Sequence, residues 1–282
     1  MPSMTVGESE PPAAVLTMAS GPVVVLRGGE RLAVKPPRAL LLDDVLEIGP
    51  QATATLVFPN APPKQIVAAA ATATFRVAKG PAPQPPKAGA LARLWRYVVS
   101  LVAPRPRQYA VPASRGDEDA PDGLWACDTL IRQQRPTFAW HSVTGATYQV
   151  ILLNAQGEEL WRSSTTTQTA LSYPDGAPEL ATGVRYWWEV RAVTAEQVAA
   201  AGPYWIELMP PARGAEIDKL LEDISAETRD SAPSVQTSAR ALTLAAEGFT
   251  GEALSLLATL AQHQPPTRRE IEGFRALLAR PS

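Results

Sequence analysis

Hydrophobic and polar residues alternate through the stretch from Pro136 to Val193, and short turn signals interrupt the alternation. Phe138 and Trp140 share one side of a predicted strand, and Trp188 takes one side of a later strand with Trp187 on the other. A period of two residues is typical of strands that bury one face, and closely spaced turns are typical of small all-β domains. The pattern therefore predicts a β-sandwich.

The same reading divides the chain of 282 residues into five segments. Short alternating runs with glycine turns predict a second small β domain near the start, and a helical period takes over after Pro210. The predicted fold class is mainly β with an α-helical C-terminal region. The segments are a disordered tail at 1–19, a β domain at 20–80, a proline-rich linker with a helix at 81–112, a β-sandwich at 113–210 and helical hairpins at 211–282.

The linker contains one amphipathic helix, predicted from Ala88 to Ala103. Its apolar stripe includes Leu91, Trp95 and Val98, at the three- and four-residue spacing that places them on one helix face. Three interpretations stay open. The stripe packs on the β domains of this chain, docks in a groove of a partner protein, or lies on a membrane surface. Under the second interpretation these three side chains are candidate interaction residues.

The tryptophans of the predicted sandwich separate into two groups. Trp140 and Trp188 share a face with other large apolar residues and are expected in the core. Trp161 and Trp187 each fall on the face opposite their core neighbours, which makes them candidate interaction residues on an exposed sheet surface. That surface would bind a protein or, as an alternative, stack against a glycan.

The composition argues against several classes of function. The formal net charge of −2 provides no global positive field, so nucleic acid is not an expected partner. The single cysteine, Cys127, excludes an intramolecular disulfide, and two histidines are too few for a histidine-rich metal site. His141 and Ser142 are strand neighbours whose side chains point to opposite faces, so they cannot pair as base and nucleophile. We predict no catalytic residue, cofactor or metal site, and no enzymatic activity.

The location of the protein is predicted from two absent signals. No segment reaches the ~18 apolar residues of a membrane-spanning helix. The first residues lack the basic and apolar regions of a secretory signal. As written, the chain is expected in the cytoplasm, and it would belong to the periplasm or envelope if its true start carries a leader.

Three parts of the chain resemble known families. Residues 21–60 are similar to FecR-type β domains, with Asp43-Asp44 and Asn60-Ala61 standing where Gly-Asp and Asp-Gly are usual. Trp140 and the run Leu180–Tyr186 resemble the early core tryptophan and the tyrosine corner of a fibronectin type III-like (Ig-like) sandwich. One tetratricopeptide-like hairpin is suggested by the spacing of Gly248, Ala253, Leu257, Leu260 and Pro265.

These patterns predict a bacterial, non-enzymatic adaptor that binds a protein partner. The tetratricopeptide resemblance leaves two interpretations open: the C-terminal helices pack on the sandwich, or they are a docking element for another repeat protein. The identity of the partner is not predicted. The FecR-type resemblance implies an alternative, a signalling component of the cell envelope that acts on sigma-factor regulators. A third hypothesis is a glycan-binding or cell-wall-binding protein that uses the exposed tryptophans.

Overall fold

A computed structural model of the protein describes residues 11–59, 61–78, 89–102 and 123–263. They fall into two compact units. The first draws on Met1–Pro104, Asp223–Leu242 and Ala258–Ser282, and the second on Arg105–Glu222 and Thr243–Leu257. Strands dominate both units and most of the helical residues follow residue 210, so the predicted fold class is confirmed.

The β-strands of the first unit form two antiparallel sheets. The strands are β1 (Ala14–Ser20), β2 (Val23–Arg27), β3 (Glu30–Ala33), β4 (Arg38–Leu40), β5 (Val45–Ile48), β6 (Thr53–Phe58), β7 (Ala61–Val67) and β8 (Ala73–Arg76). Sheet A has the order β4-β1-β6-β7 and sheet B the order β3-β2-β5-β8. Alternate apolar side chains of the two sheets, including Leu16, Val25, Leu46 and Leu56, fill one core between them.

Strand β1 is covered on both faces. Leu16 belongs to the core between the sheets, whereas Val15 pairs with Val57 on the opposite face of sheet A, and both valines are buried. Helix α1 (Ala90–Val102) lies against β1, β4 and β6. The prediction of a disordered tail over residues 1–19 is therefore wrong for residues 14–19. A strand buried on both faces lacks the polar alternation that marks a half-buried strand.

An ion pair with a buried carboxylate fixes the connection between β4 and β5. The carboxylate of Asp44 is 1% exposed and accepts hydrogen bonds from Arg27 Nε at 2.9 Å and Nη2 at 2.7 Å. It also accepts the backbone N–H of Leu41 at 2.8 Å. A buried carboxylate is stable only with such a set of donors, since it has lost its water. The loop before β5 is thereby tied to β2.

The second unit contains the predicted sandwich. Its strands are β9 (Gly123–Trp125), β10 (Thr129–Ile131), β11 (Thr137–Trp140), β12 (Thr147–Leu153), β13 (Glu159–Arg162), β14 (Ala170–Ser172), β15 (Arg185–Val193) and β16 (Val198–Leu208). Sheet C has the order β14-β11-β9, and sheet D has the order β10-β16-β15-β12-β13. Neighbouring strands are antiparallel except β10 and β16, which are parallel.

Trp188, on the central strand β15, is the main core residue of the sandwich. Its side chain is fully buried, and its ring lies 4.9 Å from the ring of Phe138 in sheet C and 5.1 Å from that of Tyr204 in sheet D, measured between centroids. Its Nε1 donates a hydrogen bond to Ala126 O at 2.6 Å. One side chain therefore joins both sheets and the loop between β9 and β10. Trp140 is also buried, as predicted.

Three helices follow the sandwich: α2 (Pro211–Glu227), α3 (Pro233–Ala246) and α4 (Thr250–His263). The predicted helical region at 211–282 does not form one separate domain, because its residues are divided between the two units. Helix α3 ends in a Schellman motif, in which Phe249 N donates to Leu244 O at 2.9 Å and Gly248 N to Ala245 O at 3.1 Å. The predicted last helix, beginning at Thr267, lies outside the described residues.

Replacing Trp188 with alanine is expected to lower the free energy of unfolding of the second unit by about 3–5 kcal/mol, because it empties the centre of the core. Trp187→Ala, one residue earlier on the half-exposed face, is the matched control and should cost less than about 2 kcal/mol. Urea unfolding followed by near-ultraviolet circular dichroism measures both. Equal losses for the two variants would contradict the core assignment.

Gly248→Ala is expected to destabilise the protein by about 1–3 kcal/mol. The residue has a φ of +89°, and an added Cβ would lie 2.9 Å from Leu130 Cδ1. Gly214→Ala, inside α2 with no atom within 4 Å of the added Cβ, is the control and should stabilise by about 0.5–1 kcal/mol. Thermal melts of both variants measure these changes in stability. A Gly248→Ala protein as stable as the wild type would contradict the expected backbone strain.

Candidate functional site

The apolar stripe of helix α1 packs against strands of its own unit. Trp95 is 7% exposed and Val98 is fully buried, while Leu91 is half-buried. Because α1 lies against β1, β4 and β6, the interpretation that this helix packs on the chain's own β domain is confirmed. The prediction that Trp95 and Val98 are docking residues is wrong, because both side chains are buried and no partner can reach them without displacing the helix.

Trp161 lies on the core side of sheet D. A β-bulge in β13 leaves Leu160 as an extra residue, so that Trp161 pairs with Leu152 and Glu159 with Leu153. The ring of Trp161 meets the ring of Tyr173 edge-on, with 5.2 Å between centroids. The prediction that Trp161 is an exposed interaction residue is wrong, because the bulge reverses the alternation that the sequence implies.

Two tryptophans share the outer face of sheet D, which is the face turned away from sheet C. Trp187 on β15 is the cross-strand partner of Trp205 on β16, and both side chains are half-buried. The guanidinium of Arg185 lies over the ring of Trp205, 4.4 Å from its centroid, and pairs with Glu207 at 3.5 Å. Sequence reasoning missed Trp205, although alternation from an inward-facing Ile206 would have placed it outward.

Next to the tryptophans, the outer face carries a balanced set of charges. Arg162 on β13 forms an ion pair with Glu159 and donates from Nη1 to Gln149 Oε1 at 2.9 Å. On β15, Arg191 pairs with Glu189 at 2.6 Å. The hydrogen bonds from Arg162 lower the pKa of the Glu159 carboxyl. This part of the face therefore offers charged hydrogen-bonding groups of both signs without a net charge.

The hairpin that joins β15 to β16 exposes two valine side chains. Val193 and Val198 are cross-strand partners and are 42% and 67% exposed. Within the described part of the chain, the exposed large hydrophobic residues are these two and Val67 in the first unit. Two of the three thus meet at one hairpin, where they continue the outer face of sheet D.

A second polar cluster of this unit surrounds Arg132, directly after β10. Its Nε donates to Glu252 Oε1 on α4 at 3.0 Å, and its Nη1 donates to Asp218 Oδ1 on α2 at 2.5 Å. The bond to Glu252 is the main cause of a raised pKa of Arg132. Two open cavities, of about 400 and 390 Å³, share Arg132 in their walls. Because the guanidinium is held by carboxylates of its own unit, the cluster attaches helices to the sandwich.

Backbone groups attach the turn between α3 and α4 to β10 as well. Leu130 N donates to Gly248 O at 3.0 Å, and Gly251 N donates to Thr129 Oγ1 at 3.0 Å. The hydroxyl of Thr129 thus accepts one of the N–H groups that the first turn of α4 leaves without an intrahelical partner. The edge of β10 is therefore covered at this point.

The described ranges contain no group of three or more histidine, cysteine, aspartate or glutamate side chains placed to hold a metal ion. His141 and Ser142 are both exposed. None of the helices in these ranges is both long enough and apolar enough to cross a membrane.

Comparisons with known proteins give little further guidance. No family model matches the chain, and no curated protein matches it. Among solved structures, CopC from Methylosinus trichosporium OB3b is 14% identical with a TM-score of 0.25, covering 32% of this chain and 94% of that chain. A β-D-glucuronidase from Dictyoglomus thermophilum is 10% identical with a TM-score of 0.22, covering 67% of this chain and 31% of that chain. TM-scores this low support no assignment.

Arg132→Ala is expected to lower the free energy of unfolding of the second unit by about 1–3 kcal/mol, because Glu252 loses its donors while half-buried. Arg162→Ala, which breaks a solvent-exposed pair with Glu159, is the control and should cost less than about 1 kcal/mol. Chemical denaturation compares the two variants. If Arg132→Ala behaved like the control, its carboxylate contacts would not be stabilising the helices.

Proposed function

We propose that this protein is a non-enzymatic adaptor that binds a protein partner through the outer face of sheet D. The observation that supports the proposal most directly is the cross-strand pair Trp187 and Trp205 on that face. With α1 packed inside the first unit, this pair replaces the linker helix as the expected docking surface.

The composition of the outer face supports protein binding. Tryptophan and arginine are enriched among the residues that dominate binding energy at protein interfaces. Trp187 and Trp205 provide apolar area, Arg185 stacks on Trp205, and the neighbouring ion pairs provide a polar rim. A face built in this way excludes water at its centre and fixes the orientation of a partner at its margin.

Details of the fold support the proposed domain resemblances. Ala181 N donates to Tyr186 Oη at 2.9 Å at the start of β15, as in the tyrosine corner of a fibronectin type III-like sandwich. In the first unit Asp43 has a φ of +66°, a left-handed conformation that suits glycine, the usual residue here in FecR-type domains. We keep both resemblances as proposals, and they suggest that a sandwich module carries the binding face.

The test is photo-crosslinking in the host from a p-benzoylphenylalanine at position 185, with position 67 in the first unit as the control site. We expect a protein adduct from position 185 that disappears when Trp187 and Trp205 are both changed to alanine, because the indoles hold the partner. The Trp187→Phe, Trp205→Phe double variant, which retains aromatic rings, should keep part of the adduct.

Three results would contradict the proposal. They are the absence of any adduct from position 185, an adduct that does not depend on the two tryptophans, and an equal adduct from position 67. Quenching of tryptophan emission by an oligosaccharide, lost in the double alanine variant, would replace the protein partner with a glycan.

A further inference from the structure

The edge of sheet D is covered along only part of β16. Strand β10 pairs with residues 206–208, and the carboxylate of Asp128 accepts the N–H of Trp205 at 3.1 Å. Among the described residues, no strand pairs with the outer edge of Val198–Ala201. Four of the eleven residues of β16, the longest strand in the sandwich, therefore present an edge that no described strand covers.

The register of the hairpin identifies which groups are free at this edge. Thr194 N donates to Gln197 O at 3.0 Å, so these two residues form a hydrogen-bonded pair. Because hydrogen-bonded and non-hydrogen-bonded pairs alternate, Val198 and Ala200 direct their N–H and C=O groups away from β15. Two donors and two acceptors thus point outward from this edge.

Some strand edges of the described chain carry protecting residues, whereas Val198–Ala201 does not, and nor do the three-residue edge strands β9 and β14. Proteins usually protect edges with charged residues or proline. Strand β7 contains Pro62, Pro63 and Lys64, and β13 contains Glu159 and Arg162. The run Val198–Ala201 is Val-Ala-Ala-Ala, with no charge and no proline. A short, unprotected edge in a stable domain is suited to receive another strand.

The charges at the two ends of this edge indicate which charges an incoming strand would have at its own ends. Glu196 in the hairpin between β15 and β16, and Asp128, which accepts the N–H of Trp205, are both exposed. An antiparallel pairing of two copies would bring the Glu196 end of one copy to the Asp128 end of the other, and like charges would oppose it. An incoming segment with basic residues at its ends meets opposite charge at both.

We propose that Val198–Ala201 binds an extended peptide segment of a partner protein by strand addition, and that this segment is uncharged in its centre and basic at its ends. Main-chain hydrogen bonds supply affinity in this mode of recognition, and flanking side chains supply specificity. The inference names the partner class for the proposed function and rests on it. The added strand continues sheet D beside the Trp187 and Trp205 face.

The test uses the full chain and a fluorescein-labelled peptide, Lys-Thr-Val-Thr-Val-Thr-Lys, in fluorescence anisotropy. Ala200→Pro removes an outward N–H without disturbing the bonds to β15, and such an edge position tolerates proline. We expect this variant to lose at least about tenfold in affinity. Ala200→Ser, which keeps the N–H, is the matched control and should bind like the wild type.

Additional measurements separate the contribution of charge to peptide affinity from the contribution of main-chain hydrogen bonds. The same peptide with glutamate at both ends, and the Glu196→Gln, Asp128→Asn double variant, should both bind more weakly, and added salt should reduce the difference. Where Ala200→Pro lowers the melting temperature, a peptide N-methylated at alternate amides tests the same hydrogen bonds on the wild-type chain.

Several outcomes would overturn the inference. These are no binding of the peptide to the wild type, binding that is unchanged by both Ala200→Pro and N-methylation, and tighter binding of the glutamate peptide. Concentration-dependent dimerisation in sedimentation velocity that Ala200→Pro abolishes would assign the edge to a second copy. A host adduct that requires Trp187 and Trp205 but tolerates Ala200→Pro would retain the proposed function and reject strand addition.

Discussion

Burial of the Trp188 indole is the constraint on which the second unit depends. The ring contacts both sheets, and its N–H holds the loop that carries the chain from sheet C to sheet D. Since side chains alternate along a strand, fixing Trp188 inward also fixes Trp187 outward. The exposed aromatic face is therefore a direct consequence of how the core is packed, and a shift of one residue in β15 would exchange the two.

Much of the fold could be predicted from the sequence, because most strands and helices bury only one face and therefore show a regular alternation of apolar and polar residues. The alternation around Trp140 and Trp188 identified the sandwich and its core, and the helical period after Pro210 identified the C-terminal helices. Two exceptions have physical causes. Strand β1 is buried on both faces and so carries no alternation, and the bulge at Leu160 shifts the phase of β13.

The candidate site was less predictable, because it depends on relations between distant segments. An apolar stripe on α1 shows that a helix face will be covered, but not that β1, β4 and β6 cover it. The outward position of Trp205 could have been predicted from the alternation of side chains along β16. The open edge at Val198–Ala201 could not have been predicted in this way, because it results from pairing the eleven-residue strand β16 with the three-residue strand β10. No local pattern encodes that difference in length.

The double covering of β1 has a practical consequence for shortened forms of the protein. Residues 14–20 form an interior strand of sheet A between β4 and β6. A version that begins after Ser20 would expose two strand edges together with apolar surface on both sides of the gap. Such surfaces template intermolecular β-pairing, so trimming would convert a folded domain into an aggregating one.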